Sequence, residues 1–313
     1  MDNRELVDRL LAGERRALAR VLTRVEDGSE DKLREIVALL HPRTGSAQLV
    51  GITGPPGVGK STLTSGLIGE WRARGRTVAV LAVDPSSPFS GGALLGDRVR
   101  MQDHVMDAGV YVRSMASRGH LGGLSWATPQ ALLVLDAAGF DVIIVETVGV
   151  GQAEVEIASI ADTTIVALAP GMGDAIQAAK AGILEVADVF CVNKADRDGA
   201  DRTARELRDM QQLGHGDWIA PIRKTVASSG EGIAELADAV QEHFAWLQDE
   251  GRRQRRRLDR ARLQVREIAL QTVRRRFHEV EGGDLVDELS RRVAAREMDP
   301  YTAADKLVSG LHA

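Results

Sequence analysis

The 313-residue sequence has one cysteine, Cys191. That excludes an intrachain disulfide and any zinc site built from several thiolates. The seven histidines (His41, His104, His120, His215, His243, His278 and His312) are scattered, with no close pair to clamp a metal. No run of about 18 apolar residues occurs, so nothing reads as a membrane span. The first residues carry Asp2, Glu5, Asp8 and Glu14, which fits neither a secretory signal nor an acid-poor transit peptide. An excess of positive charge is missing too. Forty basic against 45 acidic residues leave a net charge of −5, which argues against a general nucleic-acid binder. A reducing compartment is expected, with the cytoplasm as default.

What is present is ordinary globular material, 44% hydrophobic and 27% charged. Residues 1–45 show helical spacing in Leu6, Leu10, Leu11, Leu18 and Leu22, then in Leu33, Ile36, Val37 and Leu40. Asp27-Gly28 is expected to separate two helices, and Pro42 to stop the second. Residues 46–248 alternate apolar runs with amphipathic stretches. The runs are Gln48–Thr53, Thr77–Val83, Val110–Ser114, Val142–Glu146, Thr163–Ala169, Val189–Val192 and a weaker Trp218–Ile222. Near-continuous Val, Ile and Leu suit strands buried on both faces of a parallel sheet. Helices are expected at about 60–74, 125–138, 152–159, 175–186, 200–213 and 231–248. The whole reads as an α/β, doubly wound, mostly parallel sheet with helical additions at both ends. Residues 249–313 are helical and charged. Leu258, Ala261, Val265, Ile268 and Thr272 fall on a 3-4-3-4 seam that asks for a partner helix.

After the first strand stands Gly54-Pro55-Pro56-Gly57-Val58-Gly59-Lys60-Ser61-Thr62, which satisfies G-x-x-x-x-G-K-[ST]. Glycines let main-chain N–H groups turn around an anion without a Cβ in the way. The helix that follows offers its positive N-terminus. Lys60 is expected at the β- and γ-phosphates, and Ser61 at Mg²⁺.

A later strand ends in Asn193-Lys194-Ala195-Asp196. A carboxylate at Asp196 can accept from guanine N1–H and the 2-amino group, whereas adenine offers neither donor. Lys194 and Asn193 would cover the ring and brace the loops. The segment Thr225–Gly230 follows the next strand and could present N–H groups to guanine O6, with Ala227 and Ser228 as candidates. GTP and GDP are therefore expected over ATP.

Acids lie between these motifs. Asp84 and Glu146 end strands, and Asp97 sits between them. The carboxyl edge of a parallel sheet is where such folds bind ligands, and Mg²⁺ needs only one or two carboxylates. Gly149 suits a loop whose N–H meets a γ-phosphate.

GPPGVGKST, DPSSPFSGGALLGDR, ETVGVGQAEVE, APGMGDAIQAAKAG and NKAD occur in this order. Together they resemble the MeaB/ArgK-like family of P-loop GTPases, which includes the methylmalonic aciduria type A proteins. The resemblance implies a P-loop GTPase domain over 46–248, an N-terminal helical extension over 1–45 and a C-terminal dimerisation region over 249–313. It implies a metallochaperone that gates adenosylcobalamin loading of methylmalonyl-CoA mutase, or a related acyl-CoA mutase, and protects that enzyme. The cofactor would be met only through the partner. Ser61, Asp97 and Glu146 would serve Mg²⁺ directly or through water, with Asp84 in support. Residues 84–98 and 146–154 would be switches. Gly173–Gly182, with Asp174, Gln177 and Lys180, would relay nucleotide state and take part in activated hydrolysis. The usual Ser-Ala pair of the guanine loop reads Val226-Ala227 here, so a serine hydroxyl contact is not available.

Ras-like enzymes place a glutamine directly after the switch glycine, whereas here Val150 follows Gly149 and Gln152 comes later. Slow hydrolysis that a partner accelerates is the expectation. Two other functions share the same cradle: a transport-linked phosphotransferase and a nucleotide-dependent binding switch with weak catalysis. The Arg252–Arg257 run reads as a solvated helix face, and the tryptophans as packing residues.

Overall fold

The computed structural model describes residues 2–27, 30–84, 104, 106–116, 127–147, 153–172, 186–212, 217–281 and 284–309. The chain divides into two compact units, Met1–Arg253 and Gln254–Ala313.

The first unit is built on seven strands: β1 Gln48–Thr53, β2 Val78–Asp84, β3 Val110–Ala116, β4 Val142–Thr147, β5 Thr163–Leu168, β6 Val189–Asn193 and β7 Ile222–Thr225. They pair in parallel in the order β3-β2-β4-β1-β5-β6-β7. β4, β5 and β6 are buried at every position, as expected of largely apolar strands covered on both faces. β1 lies between β4 and β5, so the carboxyl ends of these three strands form one continuous edge.

Helices cover both faces. On one, α1 (Asn3–Leu11), α2 (Arg15–Asp27), α3 (Glu30–Leu40) and α5 (Thr128–Ala137) bury Leu6, Leu22, Ile36 and Leu135 with Ala79, Leu81, Ile143 and Val145 of the sheet. On the other, α4 (Lys60–Ala73) and α8 (Ile233–Gln248) bury Leu63, Leu67, Trp71, Leu236 and Val240 with Val50, Ile52, Val78 and Val80. Successive residues of β2 thus serve opposite cores, the period-two consequence of a pleated strand. α6 (Ala153–Ile160) follows β4, and α7 (Ala200–Gln211) packs Ala204 and Leu207 against β5 and β6.

Two expected elements of the first unit are corrected. Residues 3–27 form two helices, not one. Gly13 adopts φ 85°, and the N–H groups of Gly13 and Glu14 return to Leu10 and Arg9, which is a Schellman stop. The last strand is Ile222–Thr225, not Trp218–Ile222. β7 is an edge strand with polar composition, so it carries no apolar run. The apolar signal came from Trp218, whose ring packs 4.9 Å from His243 and 5.3 Å from Trp246.

In the second unit α9 (Arg252–Glu281) continues beyond Arg253 and is followed by α10 (Asp284–Ala294) and α11 (Pro300–Ser309). The seam residues Leu258, Val265 and Ile268 are exposed in the single chain. No helix of the described residues is long and apolar enough to cross a membrane. The start of the arginine run is packed rather than solvated. Arg252 lies 4.6 Å over the Trp246 ring, and Arg253 lies 4.6 Å over Phe244 and donates to the Ala47 carbonyl at 3.0 Å.

Candidate nucleotide-binding site

The glycine-rich segment leaves β1 at Thr53 and enters α4 at Lys60. Gly54 has φ 137° and Gly59 φ 95°. Both are also places without room. A Cβ on Gly54 would lie 2.1 Å from the Ala167 carbonyl oxygen, and one on Gly59 would lie 2.6 Å from Asn193 Nδ2. The loop is thus pressed against the ends of β5 and β6. Pro55 and Val58 are buried, whereas Pro56, Gly57 and Thr62 are exposed. Lys60 is buried, and its Nζ donates to the carbonyls of Gly54 at 2.7 Å and Pro55 at 3.1 Å.

Ser61 and Glu146 come together. Ser61 Oγ donates to Glu146 Oε1 at 2.7 Å, and Thr64 Oγ1 donates to Glu146 Oε2 at 2.8 Å. All three are buried, with Glu146 4% exposed. Beside them Thr147 Oγ1 donates to Thr53 Oγ1 at 3.3 Å, linking the ends of β4 and β1. The cluster is a hard-oxygen donor set at the first turn of a helix, the chemistry that suits Mg²⁺. Among the described residues no three His, Cys, Asp or Glu side chains converge as a metal cage. Mg²⁺ does not need one, since it keeps much of its water.

The Asn193–Asp196 segment reaches the same edge from β6. Asn193 is buried; its Nδ2 donates to the Val58 carbonyl at 2.8 Å. Its Oδ1 accepts from Thr225 Oγ1 at 3.0 Å and from the Ala227 N–H at 3.1 Å. Lys194 takes a left-handed φ of 58° and donates from Nζ to the Gly57 carbonyl at 2.6 Å. Asp196 is exposed, and its carboxylate has no partner among the described residues. Of the two residues expected at guanine O6, Ala227 commits its N–H to Asn193, whereas exposed Ser228 keeps its N–H uncommitted among the described residues. Under this loop Cys191 Sγ lies 3.3 Å from Thr225 Oγ1. Full burial, only partly offset by that contact, pushes its thiol up to about 12.

The structure therefore brings the phosphate loop, Ser61, Glu146 and the Asn193–Asp196 loop to one edge. Asp84 closes β2, but its side chain lies outside what the structure describes, as do Asp97, Gly149, Asp174, Gln177 and Lys180 and most of the three expected switches. Thr64 and Thr53 are given no site role by the sequence, and Thr147 and Thr225 enter it only as members of the 146–154 switch and the Thr225–Gly230 loop. Thr64 alone had a signal there, three residues after Ser61 and so on the same helical face.

Residues 18–281 match the family described as methylmalonyl Co-A mutase-associated GTPase MeaB. The chain belongs to the MeaB family. A Pyrococcus abyssi relative of this MeaB-family chain is 48% identical over 313 residues, covering 97% of this chain and 95% of that one. The mitochondrial methylmalonic aciduria type A homolog of Mus musculus is 32% identical, covering 96% and 77%. A solved structure titled as an LAO/AO transport system kinase superposes with TM-score 0.71 at 26% identity, covering 99% of this chain and 98% of that one. The fold is that of the P-loop nucleotide hydrolases, the activity class is GTP hydrolysis, and the nucleotides are GTP and GDP.

Proposed function

We propose that this chain is a Mg²⁺-dependent GTPase metallochaperone that gates adenosylcobalamin loading of methylmalonyl-CoA mutase, or a related cobalamin-dependent acyl-CoA mutase, and protects it. The observation that carries the reading is the match of residues 18–281 to a family described as associated with that mutase. The cytoplasm is the proposed compartment.

In this reading Gly54–Thr62 cradles the phosphates, and the Lys60 ammonium moves from the Gly54 and Pro55 carbonyls to the β- and γ-oxygens. Ser61 and Glu146 hold Mg²⁺, directly or through water, with Asp84 and Asp97 in support. When bound, the ion would neutralise negative charge on the phosphates. Asp196 accepts from guanine N1–H and the 2-amino group. Asn193 and Lys194 brace its loop, and Ala227 and Ser228 line the O6 side. Gly149 meets the γ-phosphate.

Val150 has no group to orient the attacking water, so intrinsic turnover is slow. The mutase accelerates it by bringing Gln177 or Lys180 toward the γ-phosphate. Nucleotide state acts on the partner through contacts that γ-phosphate makes and its release removes. Region 249–313 joins two copies, a role supported by the exposed Leu258, Val265 and Ile268.

Single-turnover GTP hydrolysis with and without purified methylmalonyl-CoA mutase tests the proposal. Faster cleavage and a nucleotide-dependent affinity support it; identical rates and affinities in both arms overturn it. The kinase title of the structural relative favours a second reading, phosphoryl transfer. Product analysis separates the two, since hydrolysis releases free phosphate and transfer does not.

A further inference from the structure

We infer that Thr64 is a positioning residue for the metal-binding carboxylate of this GTPase. The inference rests on the proposed role of Ser61 and Glu146 at Mg²⁺.

Thr64 is fully buried at the fifth position of α4. A buried hydroxyl usually finds a partner, and inside a helix the common one is the carbonyl four residues back. Thr64 instead donates across to β4, at 2.8 Å from Glu146 Oε2. Ser61 takes the other oxygen, Oε1, at 2.7 Å. Residues three apart share a helix face, so the two hydroxyls grip the two carboxylate oxygens from one side. The last torsion of a glutamate is broad and nearly two-fold, so each bond to one of its oxygens narrows the orientations open to the carboxylate. With both, its plane is fixed against α4. One oxygen is held toward Ser61, and the other is held away from it. Hydrogen bonds to a charged acceptor are also stronger than neutral ones. Thr64 acts through Glu146, the group its hydroxyl bonds.

The test is Mn²⁺ binding to the GDP-bound protein, followed by the electron spin resonance of free Mn²⁺, in the parent and in Thr64→Val, Thr64→Ser and Ser61→Ala. Thr64→Val keeps the shape and removes the donor. It should weaken Mn²⁺ about tenfold, the loss of one hydrogen bond to a charged group. Thr64→Ser should return affinity to near the parental value. GDP affinity in chelator should stay level for both. If Thr64→Val binds Mn²⁺ like the parent while Ser61→Ala is weakened, Thr64 has no positioning role, and the metal reading stands. If Ser61→Ala also binds like the parent, the metal reading itself fails. A merely structural role would lower thermal stability and GDP affinity together without a serine-reversible change in Mn²⁺ affinity, and that result also overturns the inference. Should the valine variant not fold, Thr64→Ala carries the same expectation.

Discussion

The Asn193 amide and the Val58 carbonyl, 135 residues apart in the chain, meet in a buried hydrogen bond of 2.8 Å. Through it the loop after β6 and the glycine-rich loop after β1 are one framework. Asn193 also receives Thr225 and Ala227, so three loops depend on a single side chain that is 2% exposed.

Replacing Asn193 with Ala takes the side-chain partner from the Val58 carbonyl and the Ala227 N–H and leaves the Thr225 hydroxyl only Cys191 among the described residues. Each buried unpaired group costs about 1–3 kcal/mol before relaxation. Stability should fall by about 2–4 kcal/mol, read as a lower urea midpoint with an unchanged slope. GDP affinity should fall as well. A variant as stable as the parent would show that the three loops are held by other means.

Asp196 differs from Asn193 in being exposed and unpartnered among the described residues. Asp196→Asn should weaken GTP by about tenfold to a few hundredfold, the cost of a lost charged acceptor. Xanthosine triphosphate, whose N1–C2 edge offers the complementary pattern, should gain. Calorimetry with both nucleotides decides. Equal GTP affinity in parent and variant would remove Asp196 from the purine.

Much of this was legible beforehand, for reasons that differ by element. β1, β4, β5 and β6 announce themselves because a strand buried on both faces is mostly apolar, with its polar residues gathered toward its ends. β7 does not, because an edge strand with the composition Ile-Arg-Lys-Thr looks like a loop. The break at Gly13 was hidden, because leucine spacing runs on either side of it. Glycine and lysine spacing exposed the phosphate loop, because that chemistry is local in sequence. The grip of Thr64 on Glu146 spans 82 residues and arises from packing α4 against β4, which no local pattern encodes.

Cys191 provides a pH test. Burial holds its thiol protonated, up to about 12, whereas an unfolded thiol titrates near 8.5. The folded state therefore keeps a proton that the unfolded chain releases. The associated stability is complete below pH ~8.5 and is lost as pH rises from there toward about 12, at about 1.4 kcal/mol per pH unit. Urea unfolding between pH 7 and 10 should fall more steeply for the parent than for Cys191→Ala. Parallel profiles would mean that the thiol does not govern the slope.

His243 is wholly buried at the amino end of the sheet, away from the glycine-rich loop. Its Nδ1 lies 3.0 Å from Thr163 Oγ1 and its Nε2 3.2 Å from Asp188 Oδ1, and its ring stacks on Trp246 at 5.6 Å. His243→Ala should cost about 3 kcal/mol or more, from a cavity and unpaired neighbours. GDP affinity of the folded variant should stay within about threefold, since additivity is expected between sites that share no partner. A larger drop in affinity, measured well below the melting temperature, would reveal communication across the sheet.

The Ala167 carbonyl fills the volume that any side chain at position 54 would claim. The backing of the glycine-rich loop is consequently the tip of a neighbouring strand, and close-packed matter transmits displacement instead of absorbing it. A displacement at the end of β5 is thus passed directly to the glycine-rich loop, whose conformation can change while its residues keep their identity.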